Sequence, residues 1–271
     1  MRRCIALVVA LVVLLAPALP AHDLFLKLTS YFLTPRQRVT VPVLNGTFTT
    51  SENAITRDRL RDISLVSGGT RIRIDTSAWR SSPDGKSSRV TIEVGAPGTY
   101  VLGASTLPRQ LKMSAKDFNA YLEEEGLTDV LADRAKAGER QDSVSERYAK
   151  HVKAIFQVGD TRTNDFSKAM GYPAEIVPQE NPYSLTAGNE LTVKCMLAGW
   201  PAADVAVIAG GHTANGTRIA EQKVRSGPDG VARVKLIESG AWFVKFIRME
   251  RRRGDSVDYQ STWATLTFAV R

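Results

Sequence analysis

Leu33-Thr-Pro-Arg-Gln-Arg-Val-Thr-Val-Pro-Val43 and Leu185-Thr-Ala-Gly-Asn-Glu-Leu-Thr-Val-Lys-Cys195 lie far apart in the chain yet carry Leu, Thr, Thr and Val in register. The likeness continues downstream in the same order. Val66-Ser-Gly-Gly69 and Thr70-Arg-Ile72 match Ile208-Ala-Gly-Gly211 and Thr217-Arg-Ile219, the second copy inserting His212 to Gly216 between the two pieces. Ser82-Pro-Asp-Gly85 and Arg89-Val90 match Gly227-Pro-Asp-Gly230 and Arg233-Val234, and Gly98-Thr-Tyr-Val101 matches Gly240-Ala-Trp-Phe243. Order is kept and the offset drifts slowly, the mark of a divergent tandem repeat.

Within each copy the apolar residues alternate. Val39 to Val43, Val90 to Val94, Leu191 to Met196 and Val231 to Leu236 all follow period two, which puts one face of a strand in a core. Pro-Asp-Gly at 83–85 and 228–230 suits tight turns, since proline presets φ and glycine accepts a positive one. Asn45-Gly46 and Asn215-Gly216 add hairpin signals. Pro42 lacks an N–H and predicts an edge strand or bulge at its place. The expected fold class is therefore mainly β: two immunoglobulin- or prealbumin-like β-sandwich domains, with a short α-helical insertion between them.

That insertion is where the period changes. Ser114 and Asp117 form a capping pattern ahead of Phe118, Tyr121 and Leu122, and Gly126 ends the helix. Thr128 to Ala137 predicts a second helix and Ser143 to Lys150 a third, while Glu123-Glu124-Glu125 reads as a solvated helix face. His151 to Gly159 is rich in β-branched and aromatic residues and predicts a strand. Tyr172 to Tyr183 holds three prolines, which impose an extended connector. The expected organisation is a leader over 1–21, a first sandwich over 22–110, the insertion over 111–150, strand and connector over 151–183, and a second sandwich over 184–271.

The start of the chain carries the functional hint. Met1-Arg2-Arg3, an apolar run from Ile5 to Leu15 and the small-residue end Ala16 to Ala21 have the layout of a secretory signal peptide. The run is shorter than the ~20 residues that span a bilayer. Cleavage after Ala21 leaves 250 of 271 residues and makes His22 the first of them; cleavage after Ala18 is the alternative. An amino-terminal histidine can chelate one metal ion through both its α-amine and its ring, and the amine, with a pKa of roughly 7.7–8.0, yields its proton near neutrality.

Bulk composition agrees with an exported domain pair. Arg2 and Arg3 leave with the leader, so Lys+Arg falls from 36 to 34 against 28 Asp+Glu and the net charge falls from +8 to +6. The excess is scattered apart from Arg251-Arg252-Arg253, read as a hairpin tip, and argues against a nucleic-acid partner. Cys4 leaves with the leader, and Cys195, in an alternating apolar run, reads as a buried small hydrophobe. No serine-hydrolase elbow, zinc-protease helix, phosphate loop, dinucleotide fingerprint or Cys-x-x-Cys is present, so no enzyme is expected.

Ala21-His22-Asp23-Leu-Phe-Leu26, Tyr148-Ala-Lys150, Lys153 to Gly159, Ala174 to Tyr183, Leu185 to Gly199 and Ala264 to Phe268 resemble the domain-of-unknown-function 4198 family. Glu175-Ile-Val-Pro-Gln-Glu-Asn-Pro-Tyr183 is the most specific of these pieces. The resemblance implies a periplasmic component of cobalt or nickel transport, with metal captured by the processed amino terminus and a nearby histidine. Only His22 carries over by position.

The candidate metal ligands are His22, Asp23, His151 and His212, for nickel, cobalt or copper, ions that suit nitrogen-rich sites. His212 falls in the loop inserted into the second copy; His151 falls at the predicted helix-to-strand boundary and equally reads as a packing or capping residue. The leading expectation is a periplasmic or secreted metal-binding protein serving a membrane transport complex. A second is a structural or adhesive module that binds carbohydrate or an envelope protein, with Trp200 as a stacking surface. A third is a copper monooxygenase, which requires another histidine beside His22.

Overall fold

The computed structural model describes residues 22–271, so the expected leader and cleavage point lie outside the described residues. The first copy opens with β1 (Asp23–Leu26), β2 (Phe32–Leu33) and β3 (Arg38–Gly46). It continues through β4 (Leu60–Ser67), β5 (Thr70–Arg73), β6 (Trp79–Ser81), β7 (Ser88–Glu93) and β8 (Gly98–Thr106). β9 (Arg109–Met113), α1 (Ala115–Glu124) and α2 (Thr128–Lys136) then lead to the long strand β10 (Val144–Val158). The second copy comprises β11 (Ala174–Pro178), β12 (Glu190–Leu197), β13 (Trp200–Pro201) and β14 (Ala206–His212). It ends with β15 (Arg218–Arg225), β16 (Val231–Lys235), β17 (Gly240–Arg251) and β18 (Tyr259–Val270).

The repeat read from sequence is a repeat of pairings. β3 pairs antiparallel with β7 as β12 does with β16. β4 lies between β5 and β8 as β14 lies between β15 and β17. β8 then passes to β10 and β17 to β18, and β10 and β18 run parallel side by side. The long sheet therefore has the order β15-β14-β17-β18-β10-β8-β4-β5, and both halves share it. Joining the halves through β10 and β18 hides two edges that separate sandwiches would expose to pairing with other chains.

The smaller sheets cover opposite faces of this common wall. Side chains alternate along β10. Lys150 reaches His22 and Asn45, at the start of the β1-β3-β7-β6 sheet, while Lys153 reaches Glu175 on β11, in the sheet of β11, β12, β13 and β16. Alternation supplies both cores: Val39, Val41 and Val43 face inward on β3, and Leu191, Val193 and Cys195 on β12. Cys195 is fully buried as expected, and burial pushes its thiol up to about 12, leaving it inert. α1 buries Phe118, Tyr121 and Leu122 against Ile247, Met249, Tyr259 and Trp263, on the same face as β1. Among the described residues no helix is long and apolar enough to cross a membrane.

Local signals hold where they were strongest. The Ser114 hydroxyl accepts from Asp117 N at 3.1 Å and caps α1. Gly85 N donates to Ser82 O at 3.0 Å with φ of 68°, and Gly230 N to Gly227 O at 2.9 Å with φ of 76°. Pro42, expected on an edge strand or at a bulge, instead lies inside β3, between β1 and β7, in unbroken register with Arg89; it is tolerated because β1 stops there, with Leu26 facing Val43 and the Pro42 carbonyl accepting from Lys27 N. Two further expectations fail. Ser143 to Lys150 forms the first half of β10 instead of a helix, because Val144 to Tyr148 pair with β9 on one side and Glu146 onward with β18 on the other. Pairing with two neighbours overrides the weak helical pattern of a polar segment. Glu125 is not on a solvated face: it is 4% exposed and turned into the protein. The proline-bearing stretch 172–183 is extended only in part: it contributes β11 and then enters a 3-10 turn at Pro182–Ser184.

Candidate functional site

His22 and His212, remote in sequence, line one pocket of about 380 Å³. Its walls come from β1, from the Gly46–Glu52 turn, from the end of α1 and from β14 and β17. Among the described residues neither ring nitrogen of His22 has a hydrogen-bond partner, and His212 Nδ1 has none, although all three atoms are shielded from solvent. Buried polar atoms are normally satisfied, so three unpartnered ring nitrogens on one pocket call for an explanation. Glu52 Oε2 lies 3.6 Å from His22 Nε2, beyond hydrogen-bond range. Five carboxylates line the pocket (Asp23, Glu52, Glu124, Glu125 and Glu221) against two basic side chains, Arg218 and Lys245.

The pocket is held by packing below it. Phe25, Phe48 and Phe243 meet edge-on or tilted, with ring centroids 5.1–5.4 Å apart, and His212 stacks on Phe48 at 6.0 Å. Such aromatic pairs add ~0.5–1.5 kcal/mol each beyond the area they bury. At Gly211 the strands come so close that an added Cβ would lie 2.1 Å from Ala241 O, and the β14–β15 register shifts there. That irregularity sits immediately before His212 and aims its side chain. Burial, with Lys27 and Arg218 adding to it, lowers the His212 pKa and keeps its ring neutral, the form that binds metal.

Asp23 has a different task from its neighbour. Its Oδ2 takes Lys245 Nζ at 2.6 Å, and the same ammonium reaches Glu125 Oε2 at 2.8 Å. Burial alone would lower the Lys245 pKa, but the two carboxylates outweigh it and hold the lysine protonated. Burial and then the charge of Asp23 push Glu125 up to about 7, against the pull of Lys245. Two carboxylates thus share one cation, and the trio ties β1, β17 and the end of α1 together beneath His22. Among the described residues Asp23 Oδ1 remains buried without a partner.

His151 is not brought to this pocket. It sits mid-strand in β10, 2% exposed, with Nδ1 2.9 Å from Ser105 Oγ and its ring tilted against Tyr172 at 5.9 Å. The odd-numbered face of β10 carries it toward β11, away from β1. Burial, helped by Arg61, depresses its pKa to about 4. Of the four candidate residues, then, the fold gathers His22, Asp23 and His212 and separates His151. Among the described residues no three His, Cys, Asp or Glu side chains are grouped so as to hold a metal ion by themselves. The residues that sequence reading missed are Lys245, Glu125 and Lys150. A lone lysine inside Trp242-Phe-Val-Lys-Phe-Ile247 was the available signal, since a charge in a buried strand needs a partner.

The model of a family described as "Domain of unknown function (DUF4198)" matches residues 19–250, and the chain belongs to that family. No curated protein matches it. Among solved structures it is similar to trypsin-activated α-2-macroglobulin from Escherichia coli, at 12% identity and a TM-score of 0.24. That alignment covers 92% of this chain and 15% of the other. It is also similar to a tetra-tandem repeat in the extending region of a large adhesion protein, at 13% identity and a TM-score of 0.23, over 93% of this chain and 50% of that one.

Proposed function

We propose that this member of the family is an exported protein that binds a divalent transition metal, nickel, cobalt or copper, at an amino terminus made by cleavage before His22. The observation that carries the reading is the set of unpartnered ring nitrogens of His22 and His212 on one acidic pocket. Two side chains alone make a weak site. A freed α-amine on His22 would supply a third nitrogen from the same residue, and nitrogen-rich sets of this size suit copper(II) and nickel(II). The surrounding carboxylates favour a cation electrostatically. Asp23 acts here as an anchor for Lys245 rather than as a ligand, and His151 has no part. Delivery of the metal to a membrane transport complex is the role that this arrangement fits.

The test is mass spectrometry of the exported polypeptide, followed by calorimetric titration of nickel, cobalt and copper into protein that begins at His22. Binding should be abolished by one extra residue ahead of His22 and weakened roughly tenfold or more by His212→Ala, about 1.4 kcal/mol or more of affinity. A polypeptide starting elsewhere, or equal binding with the extra residue present, ends the reading. One observation favours a second: Trp200 is 76% exposed on the short strand β13, a surface on which a sugar ring or envelope partner could stack. Carbohydrate capture that is lost in Trp200→Ala and indifferent to metal would favour it.

A further inference from the structure

A separate hollow of about 200 Å³ opens on the other side of His22, between α1, β9, β10 and β18. Its walls carry two buried, opposite charges. Glu146 is 2% exposed, and both Ser261 Oγ and Tyr121 OH donate to its Oε1. Among the described residues its Oε2 takes no hydrogen bond. Lys150 is 5% exposed; it donates to the His22 carbonyl and to Asn45 Oδ1 and has one N–H left over. The two charges form no ion pair with each other, in contrast to Lys153 and Glu175 at 3.0 Å on the opposite face. Buried charges are ordinarily paired, so a carboxylate and an ammonium held apart across a cavity define a gap with a sign at each end.

We propose that this hollow binds a small zwitterion of the α-amino-acid type, its carboxylate on Lys150, its ammonium on Glu146 and an apolar side chain against Met113, Tyr148 and Trp263. The remaining chemistry favours a zwitterion over a singly charged ligand. Lys150 Nζ already lies 5.5 Å from the Tyr148 ring and 5.2 Å from the Trp263 ring, so a purely cationic ligand would meet a resident cation at those faces. A purely anionic ligand would meet Glu146. Charge at the mouth is balanced in the same way, by Lys112 and Asp117. The Trp263 indole is fixed by its Nε1 donating to Ser261 Oγ at 2.8 Å and by stacking on Tyr121 at 5.6 Å, so the apolar wall is preorganised. The hollow touches the metal reading only through His22 and stands whether or not metal binds.

The experiment uses metal-free protein beginning at His22, titrated with L-leucine and L-methionine and followed by calorimetry and tryptophan fluorescence. Isovalerate, with a carboxylate only, and isoamylamine, with an amine only, are the controls. Saturable binding of the amino acids is expected, at least tenfold tighter than either control, with the fluorescence change lost in Trp263→Phe. Glu146→Gln and Lys150→Met should each weaken binding roughly tenfold or more, as loss of a charge-assisted hydrogen bond does. Should Lys150→Met not fold, Met113→Trp fills the hollow and is expected to block binding in folded protein. Equal affinity for isovalerate, unchanged affinity in Glu146→Gln, or no saturation up to roughly 10 mM would overturn the proposal.

Discussion

Lys150 and Lys153 stand on one strand and point to opposite faces, and they meet different surroundings. Lys153 lies 3.0 Å from Glu175, whose carboxylate also takes Met170 N and Tyr172 N at 2.8 Å. Both carboxylate oxygens of Glu175 are used. Lys150 shares its face with Glu146, whose two hydrogen bonds both go to Oε1, and with Asp23 Oδ1 and the ring nitrogens of His22, which have no partner among the described residues. The same contrast separates the entrances of the two copies. By strand register His22 precedes β1 as Tyr172 precedes β11, and the Tyr172 hydroxyl is committed to Asp62 Oδ2 at 2.6 Å. The Lys153–Glu175 pair is closed on itself, although His151 Nε2 on that face is buried without a partner among the described residues; on the other face the charges stand open toward pockets.

The largest effect should come from breaking the closed pair. Glu175→Ala leaves Lys153 buried without a counter-charge and strands two backbone N–H groups, a loss of about 3–5 kcal/mol in urea denaturation. His151, on the same face as that ion pair, gives the next. Its folded pKa of about 4 lies below the unfolded value, so the unfolded chain binds more protons between those limits. Stability is fully present above roughly pH 6.5 and is lost as pH falls toward 4, by up to about 3 kcal/mol. His151→Gln should remove that part of the acid sensitivity, seen as a flatter dependence of the urea midpoint on pH.

Lys150→Met sharpens the comparison from the open side. Burial lowers the Lys150 pKa to about 8 despite Asp23 and Glu146, so its charge is poorly compensated and its replacement should cost at most about 2 kcal/mol. A loss equal to that of Glu175→Ala would erase the distinction between the two faces. Trp200→Ser, on the exposed short strand, should move stability by less than about 0.5 kcal/mol, measurable as a nearly unchanged melting temperature.

Much of the fold was legible because its signals are local. The alternation of Val39 to Val43 and Leu191 to Cys195, the Ser114 cap and the two Pro-Asp-Gly turns all depend on neighbours within a few residues. The candidate site was legible only in part. His22 stood out through the leader pattern ahead of it, whereas His212 read as a loop histidine until the fold brought it to the same pocket. Ser143 to Lys150 misled because a strand buried between two partners has no need of a clean period, and its polar residues (Glu146, Lys150) are satisfied or presented by groups far along the chain. Glu125 misled for the same reason: three adjacent glutamates look solvated until Lys245 arrives from β17.

By itself the sequence determined the repeat, the strands and turns within each copy and the helical interruption, since these follow from backbone chemistry and periodicity over short spans. Tertiary structure alone decided that β10 and β18 join in parallel into one shared wall. It also decided that the smaller sheets cover opposite faces, and that His22, His212, Lys245 and Lys150 gather around the first residues of β1. Strand pairing is chosen by the burial of whole faces, a property of distant segments together, and no period or motif within one segment records its partner.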